Sequence, residues 1–292
     1  MNLKFSVVIP TYNRSDFIGK TIKCFLNQSF KNFELLIIDD GSTDNTNQII
    51  DQFSDSRIKY FKIKNSERGA ARNFGLNVST GDYLNFFDSD DIAEDFHLEE
   101  AKRIIEEFNY PKVFHLNFKY LENGKPREKF EEIININKQI FSGNILSCNG
   151  VFIRKDIAVD NKFEEDRRIA GSEDFLLWMR LAAQYEILHS KKITSYIVDH
   201  NERSQNQIHL EKIKARKLLM LEYALKDTHI GNVKNKQINS LKASTYLYIS
   251  LYAALAKKRI ESLRFLKKAI KVDFLSVFSK RFFAIFKWNY LP

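Results

Sequence analysis

Tyr83-Leu84-Asn85-Phe86-Phe87-Asp88-Ser89-Asp90-Asp91 carries an apolar strand straight into a run of carboxylates. If the chain turns at Ser89, Asp88 and Asp90 direct their carboxylates into one small volume. Two such charges repel unless a cation or hydroxyl donors stand between them. Hard oxygen ligands suit Mg²⁺ or Mn²⁺, ions that bind chiefly where a substrate phosphate completes the shell. The stretch therefore suggests a metal–diphosphate site, although aspartates ahead of a helix also serve as caps.

Outward from this stretch, apolar strands alternate with amphipathic helical segments. Phe5 to Ile9, Phe33 to Ile38 and Ile58 to Ile63 read as further strands, and Asp16 to Asn27, Thr46 to Phe53 and Ala70 to Val78 as helices. Uninterrupted apolar strands separated by helices predict an α/β fold, a mostly parallel sheet with helices on both faces. Ligands in such sheets bind beyond the carboxyl ends of the strands. Three polar loops meet that rule and should share one rim: Pro10 to Asn13, Asp39 to Ser42, and Asp88 to Asp91.

Beyond Asn109 the pattern is mixed, with strands expected at Val113 to Tyr120 and Val151 to Ile153 and a helix at Glu173 to Ala183. From about residue 212 the pattern is helical. The charge divides at a similar place. From Glu211 onward there are 18 Lys+Arg against 5 Asp+Glu, a net of +13, and the preceding residues carry −4. The expected organisation is a domain over 1–210 and a basic, amphipathic helical region over 211–292. Phe274, Phe278, Phe282 and Ile285 fall at helical spacing among Lys280, Arg281 and Lys287, with Trp288 and Tyr290 close behind. That stripe reads either as a solvated helix face or as a surface for the anionic leaflet of a membrane.

The first residues lack the pattern of a signal peptide, and no apolar run is long enough to span a bilayer. Cys24 and Cys148 sit in apolar stretches without metal-ligand spacing, as reduced core residues of a cytosolic protein do. Gly19-Lys20-Thr21 is not a phosphate loop, because the first glycine of that motif would fall at Arg14. No Gly-x-Gly-x-x-Gly follows the first strand, which disfavours a nicotinamide or flavin enzyme. The Asp39-Asp40-Gly41-Ser42 loop is either a turn with a cap or a carboxylate placed for the imide N–H of uracil. Ser172-Glu173-Asp174 is either a helix start or a base for an incoming hydroxyl. His200 alone reads as a surface histidine.

Together these segments resemble the family-2 glycosyltransferases of the GT-A fold. The resemblance rests on Val7 to Arg14, Phe33 to Asp44, Gly69 to Gly75, Gly81 to Asp91 and Glu173-Asp174, and covers residues 3 to about 205. It implies an inverting transfer from a nucleotide-diphosphosugar, with a UDP-sugar favoured, to a hydroxyl of a glycan or lipid-linked acceptor in surface polysaccharide or glycolipid assembly. Pro10, Thr11 and Asp40 would then hold uracil and ribose, and Arg72 would lie near the uridine or diphosphate. Asp88 and Ser89 would face the ribose and the metal shell, and Asp90, with Asp88 and His200, would bind Mn²⁺ or Mg²⁺. Asp174 would be the base, with Glu173 beside it at the acceptor, and Asn149 to Arg154 would form an acceptor-side strand. The expected location is cytoplasmic, held peripherally at the inner membrane face by the C-terminal helices, and those helices could also pair in an oligomer. A nucleic-acid partner would explain the basic region but not the carboxylate-lined rim. A sugar-nucleotide pyrophosphorylase would need a Gly-rich basic loop after the first strand, and Pro10 to Arg14 is not one. A catalytically silent scaffold of the same fold would not need the aspartates at 40, 88, 90 and 174.

Overall fold

The computed structural model describes residues 2–122, 124–127, 132–199 and 209–290. In chain order the first elements are β1 (Phe5–Thr11), α1 (Ile18–Leu26), β2 (Phe33–Asp39), α2 (Thr46–Ile50), β3 (Ile58–Lys62), α3 (Glu67–Val78) and β4 (Tyr83–Phe86). There follow β5 (Ile92–Ala93), α4 (His97–Glu107), β6 (Val113–Glu122), β7 (Lys125–Arg127), α5 (Ile136–Gln139), β8 (Val151–Arg154), α6 (Lys155–Asp160), α7 (Glu173–Gln184) and β9 (Ile187–Val198). Helices α8 (Leu210–Lys226), α9 (Thr228–Gly231), α10 (Asn235–Leu255), α11 (Arg259–Val272) and α12 (Lys280–Tyr290) complete the order. The chain forms two compact units. One comprises Met1–Ile134, Leu146–Ala170 and Tyr185–Asn201; the other comprises Asn135–Ile145, Gly171–Gln184 and Glu202–Pro292.

The first unit is built on one mixed sheet of order β3-β2-β1-β4-β8-β6-β9-β5, with β7 paired to β6. The four strands from β3 to β4 run parallel, as their continuous apolar sequences predict. β8 is antiparallel to both β4 and β6, and β5 is antiparallel to β9. Alternate residues of β1 face opposite layers. Phe5, Val7 and Ile9 pack in one cluster with Ile18, Ile22 and Phe25 of α1 and Leu98, Ala101 and Ile105 of α4. On the other face, α3 lies so close that a Cβ on Gly75 would stand 2.3 Å from Val8 Cγ1 and 3.3 Å from Ile38 Cγ1. His97, at the start of α4, is fully buried, with Nδ1 2.8 Å from Thr194 Oγ1. Burial pushes its pKa down to about 3, which makes it a neutral core side chain near neutral pH.

The parallel register sets the rim. Thr11 pairs with Asp39, and Val8 with Phe86, so β1, β2 and β4 deliver their following loops to one edge of the sheet.

The second unit is helical. Ala243 and Leu247 of α10 pack with Ala269 of α11 and Ile285 of α12. α10 and α11 approach closely through small residues, and Ser250 and Ser262 each donate a hydroxyl to the other's carbonyl, at 2.8 and 2.9 Å. Among the described residues no helix is long and apolar enough to cross a membrane.

Candidate active site

The carboxylate turn after β4 is held from several directions. Asp91, nearly inaccessible, is an internal brace: its Oδ1 accepts from Val198 N at 2.9 Å and its Oδ2 from Asn149 Nδ2 at 2.7 Å. The same Asn149 side chain accepts from Asp88 N at 2.9 Å. Thr21 Oγ1 donates toward the carbonyls of Ser89 and Asp91, at 3.0 and 2.9 Å. Asp88 and Asp90 remain partly accessible, with side chains 29% and 13% exposed. The guanidinium of Arg72, itself buried, lies 2.9 Å from Asp88 Oδ1, and Arg14 Nε lies 3.5 Å from Asp90 Oδ2. Phe163 covers the Arg72 guanidinium at 5.2 Å from its ring centroid. Each exposed carboxylate of the turn thus faces a cation of the same unit, which offsets the repulsion between them.

The two loops beside the turn are bonded to one another. Asn13 N donates to Ser42 Oγ at 2.9 Å, Thr43 N to Asn13 Oδ1 at 2.8 Å, and Arg14 N to Thr46 Oγ1 at 2.9 Å. Asn13 adopts a φ of 50°, a left-handed conformation that asparagine tolerates better than most residues. Asp39 is structural, accepting from Ser42 N at 2.7 Å and from the Tyr60 hydroxyl at 2.6 Å. Asp40 is buried, and its two oxygens accept from Ser66 N at 2.6 Å and Glu67 N at 2.8 Å, at the start of α3. Burial pushes the Asp40 carboxyl above its usual range, against the two amide hydrogen bonds. Pro10 and Thr11 are buried at the end of β1, and Thr11 Oγ1 has no hydrogen-bond partner among the described residues. A buried hydroxyl in that state costs free energy that a bound ligand could return.

In the second unit, Glu173 and Asp174 open α7. Glu173 is buried, and its Oε2 accepts from the amides of Gly171 and Ser172 as an internal cap. Asp174 Oδ2 accepts from Asn144 Nδ2 at 3.1 Å. Asp174 is thus the half-buried member of the pair.

The first unit therefore brings Pro10, Thr11, Asp40, Arg72, Asp88, Ser89 and Asp90 to one edge, while Glu173 and Asp174 belong to the second unit. His200 lies outside the described residues. Arg14, Thr21 and Asn149 brace the turn; the sequence gives Arg14 and Thr21 no role of their own, and it reads Asn149 as part of an acceptor-side strand, whereas the strand begins at Val151 and the Asn149 side chain holds the turn. Asn149 is 61 residues from Asp88, a separation no local pattern reveals. For a divalent cation, Asp88 and Asp90 offer partly accessible hard oxygen donors, facing Arg72 and Arg14. No group of three or more His, Cys, Asp or Glu gathers among the described residues. Such a pair fits Mg²⁺ or Mn²⁺ when diphosphate oxygens and water supply the other ligands.

The family described as Glycosyl transferase family 2 matches residues 6–158, more than half the chain, and the chain belongs to that family. Its fold is the GT-A fold seen in residues 1–349 of Staphylococcus aureus TarS. That structure matches with a TM-score of 0.69 at 23% identity, covering 98% of this chain and 89% of that one. TarS in complex with UDP-GlcNAc matches at 0.64 and 21% identity, covering 92% and 91%. A glycosyltransferase of Rickettsia conorii is 32% identical over 82% of this chain, of which the chain spans only 40%. The GalNAc(5)-diNAcBac-PP-undecaprenol beta-1,3-glucosyltransferase of Campylobacter jejuni is 28% identical over 92% of this chain and 90% of that one.

Proposed function

We propose that this chain transfers a sugar from a UDP-sugar to a hydroxyl of a lipid-linked glycan, with inversion at the anomeric carbon. The observation that carries this reading is the convergence of Thr11, Asp40, Arg72, Asp88 and Asp90 at one sheet edge. It is supported by a relative whose named acceptor is undecaprenol-linked and by a neighbour solved with UDP-GlcNAc. Pro10, Thr11 and Asp40 hold the uracil and ribose. Asp90, with Asp88, would hold Mn²⁺ or Mg²⁺, which supplies positive charge to the departing diphosphate. Arg72 is placed to pass part of its charge from Asp88 to the same phosphates. Asp174 takes the proton from the acceptor hydroxyl as that oxygen attacks the anomeric carbon. One displacement with one base turns an α-linked donor into a β-linked product.

The site works at a membrane surface in this reading. Phe274, Leu275, Phe278, Phe283, Phe286 and Trp288 are all exposed, with Lys280 and Lys287 among them. Apolar rings between cations suit the boundary of an anionic leaflet. The test is release of UDP from a panel of UDP-sugars with a lipid-diphosphate glycan acceptor, the anomeric configuration being read by NMR. A β-linked product, absent with Asp174→Asn, is expected. No UDP release from any donor, or an α-linked product, contradicts the proposal.

A further inference from the structure

Around the first turn of α7 the second unit gathers cations from two other helices. Lys217 of α8 donates from Nζ to Ser172 Oγ at 3.0 Å, and its Nζ lies 4.9 Å from the Tyr248 ring centroid and 5.7 Å from that of Phe175. Arg281 of α12 reaches the same Tyr248 ring, with Cζ at 5.5 Å. Both guanidiniums of the group press against glycines. A Cβ on Gly171 would meet Arg216 Nη1 at 2.8 Å, and one on Gly143 would meet Arg281 Nη2 at 3.4 Å. Gly143 precedes Asn144, the partner of Asp174, and Gly171 precedes the α7 start, so both glycines border the candidate base.

This arrangement is electrostatically unfavourable by itself. The N-terminus of α7 is the positive end of its dipole, where anions are stabilised and cations are not. Among the described residues no carboxylate lies within ion-pair distance of Lys217 or Arg281. Burial pushes the Lys217 pKa down to about 8, the nearby Arg216 and Arg281 adding to the shift against Asp174 and Glu173. Glu173 caps two backbone amides, and Asp174 stands beside the same cations.

We propose that Arg216, Lys217 and Arg281, with the Tyr248 ring as a floor, form an anion site beside Asp174 that takes the diphosphate ester of the lipid-linked acceptor. This rests on the acceptor-side role given to Asp174 above. A diphosphate there satisfies the helix terminus and the cations together, and holds the sugar attached directly to it, with its hydroxyls, near the base. Arginine forks and a lysine point charge suit the two phosphates of such a group.

The test is titration of the full chain, with its donor site first saturated with UDP and Mn²⁺, by citronellyl diphosphate, and separately by phosphatidylglycerol vesicles. The proteins are wild type, Lys217→Gln, Arg281→Gln, the double variant, and Arg281→Lys. The expected result is saturable binding of citronellyl diphosphate, weakened about tenfold by each neutralisation, lost in the double variant and largely kept by Arg281→Lys. The UDP-induced rise in melting temperature and the helical circular dichroism stay unchanged in every variant, which shows that both units fold. Equal binding by wild type and the double variant overturns the proposal, as does a loss seen only with vesicles, which would make the group a headgroup contact. If UDP fails to raise the wild-type melting temperature, the donor reading falls alone, and the titration without nucleotide still judges the anion site.

Discussion

The two units present opposite chemistries. The first places carboxylates on loops after parallel strands and meets each with a brace: Arg72 on Asp88, Arg14 on Asp90, amides on Asp40. The second places cations on helices and leaves Lys217 and Arg281 without a carboxylate partner among the described residues. Strand ends are fixed by the sheet on both sides, so a site built there is held before its ligand arrives. Cations facing each other across helices pay for their proximity in repulsion, and that repulsion is relieved when an anion binds. In the proposals above, the first unit grips a nucleotide and the second waits for an anionic acceptor.

The widest gap between the units should appear in kinetics. Asp174→Asn is expected to lower kcat about 10²–10⁴-fold with UDP affinity unchanged, as removal of a general base does. Stopped transfer with intact UDP binding separates chemistry in one unit from donor grip in the other; equal loss of both would merge them. Next in size is the cost of disturbing the frame of the first unit. Gly75→Ala forces a Cβ to 2.3 Å from Val8 Cγ1 and is expected to cost about 1–3 kcal/mol in urea unfolding, because the core is already full. A neutral result would mean that α3 is not held tightly to the sheet.

A comparable effect comes from pH. His97 has a folded pKa of about 3, below its unfolded value, so the unfolded chain binds the additional proton and stability falls as pH drops below about 6.5. The loss between pH 7 and pH 5 is expected to be about 2 kcal/mol, and a His97→Gln variant should lose that slope. The smallest effect is expected at the membrane. Replacing Phe278, Phe283 and Trp288 together by serine should lower recovery with anionic vesicles while leaving UDP release from a soluble acceptor unchanged. Unchanged recovery would assign those rings to another partner.

The rim was legible in the sequence because its strands are short, apolar and uninterrupted, so β1, β2 and β4 and their loops can be read locally. β9 was not, since Ser190, Lys191 and Lys192 break its apolar run and its pairing with β6 shifts register around Asn117. Only the bond partners separate the roles of the three aspartates in the turn: Asp91 faces inward to Asn149 and Val198, whereas Asp88 and Asp90 stay partly accessible beside Arg72 and Arg14. The α4 stripe of Leu98, Ala101, Ile104 and Ile105 has the helical period, yet the burial that keeps His97 neutral comes from Phe25, Phe87 and Phe152, which lie elsewhere in the chain. In the second unit the charge excess was visible, but not its focus. Lys217 and Arg281 meet at Tyr248 only once α8, α10 and α12 are packed.

The most direct test of the central claim, a metal-assisted nucleotide site at the strand ends of the first unit, is thermal unfolding with UDP, GDP or TDP, each with and without Mn²⁺. Wild type and Asp90→Ala are compared, since a ligand of the folded state raises the melting temperature by mass action. A Mn²⁺-dependent rise with UDP that Asp90→Ala abolishes is expected. No rise with any nucleotide, or an equal rise in Asp90→Ala, would contradict the claim.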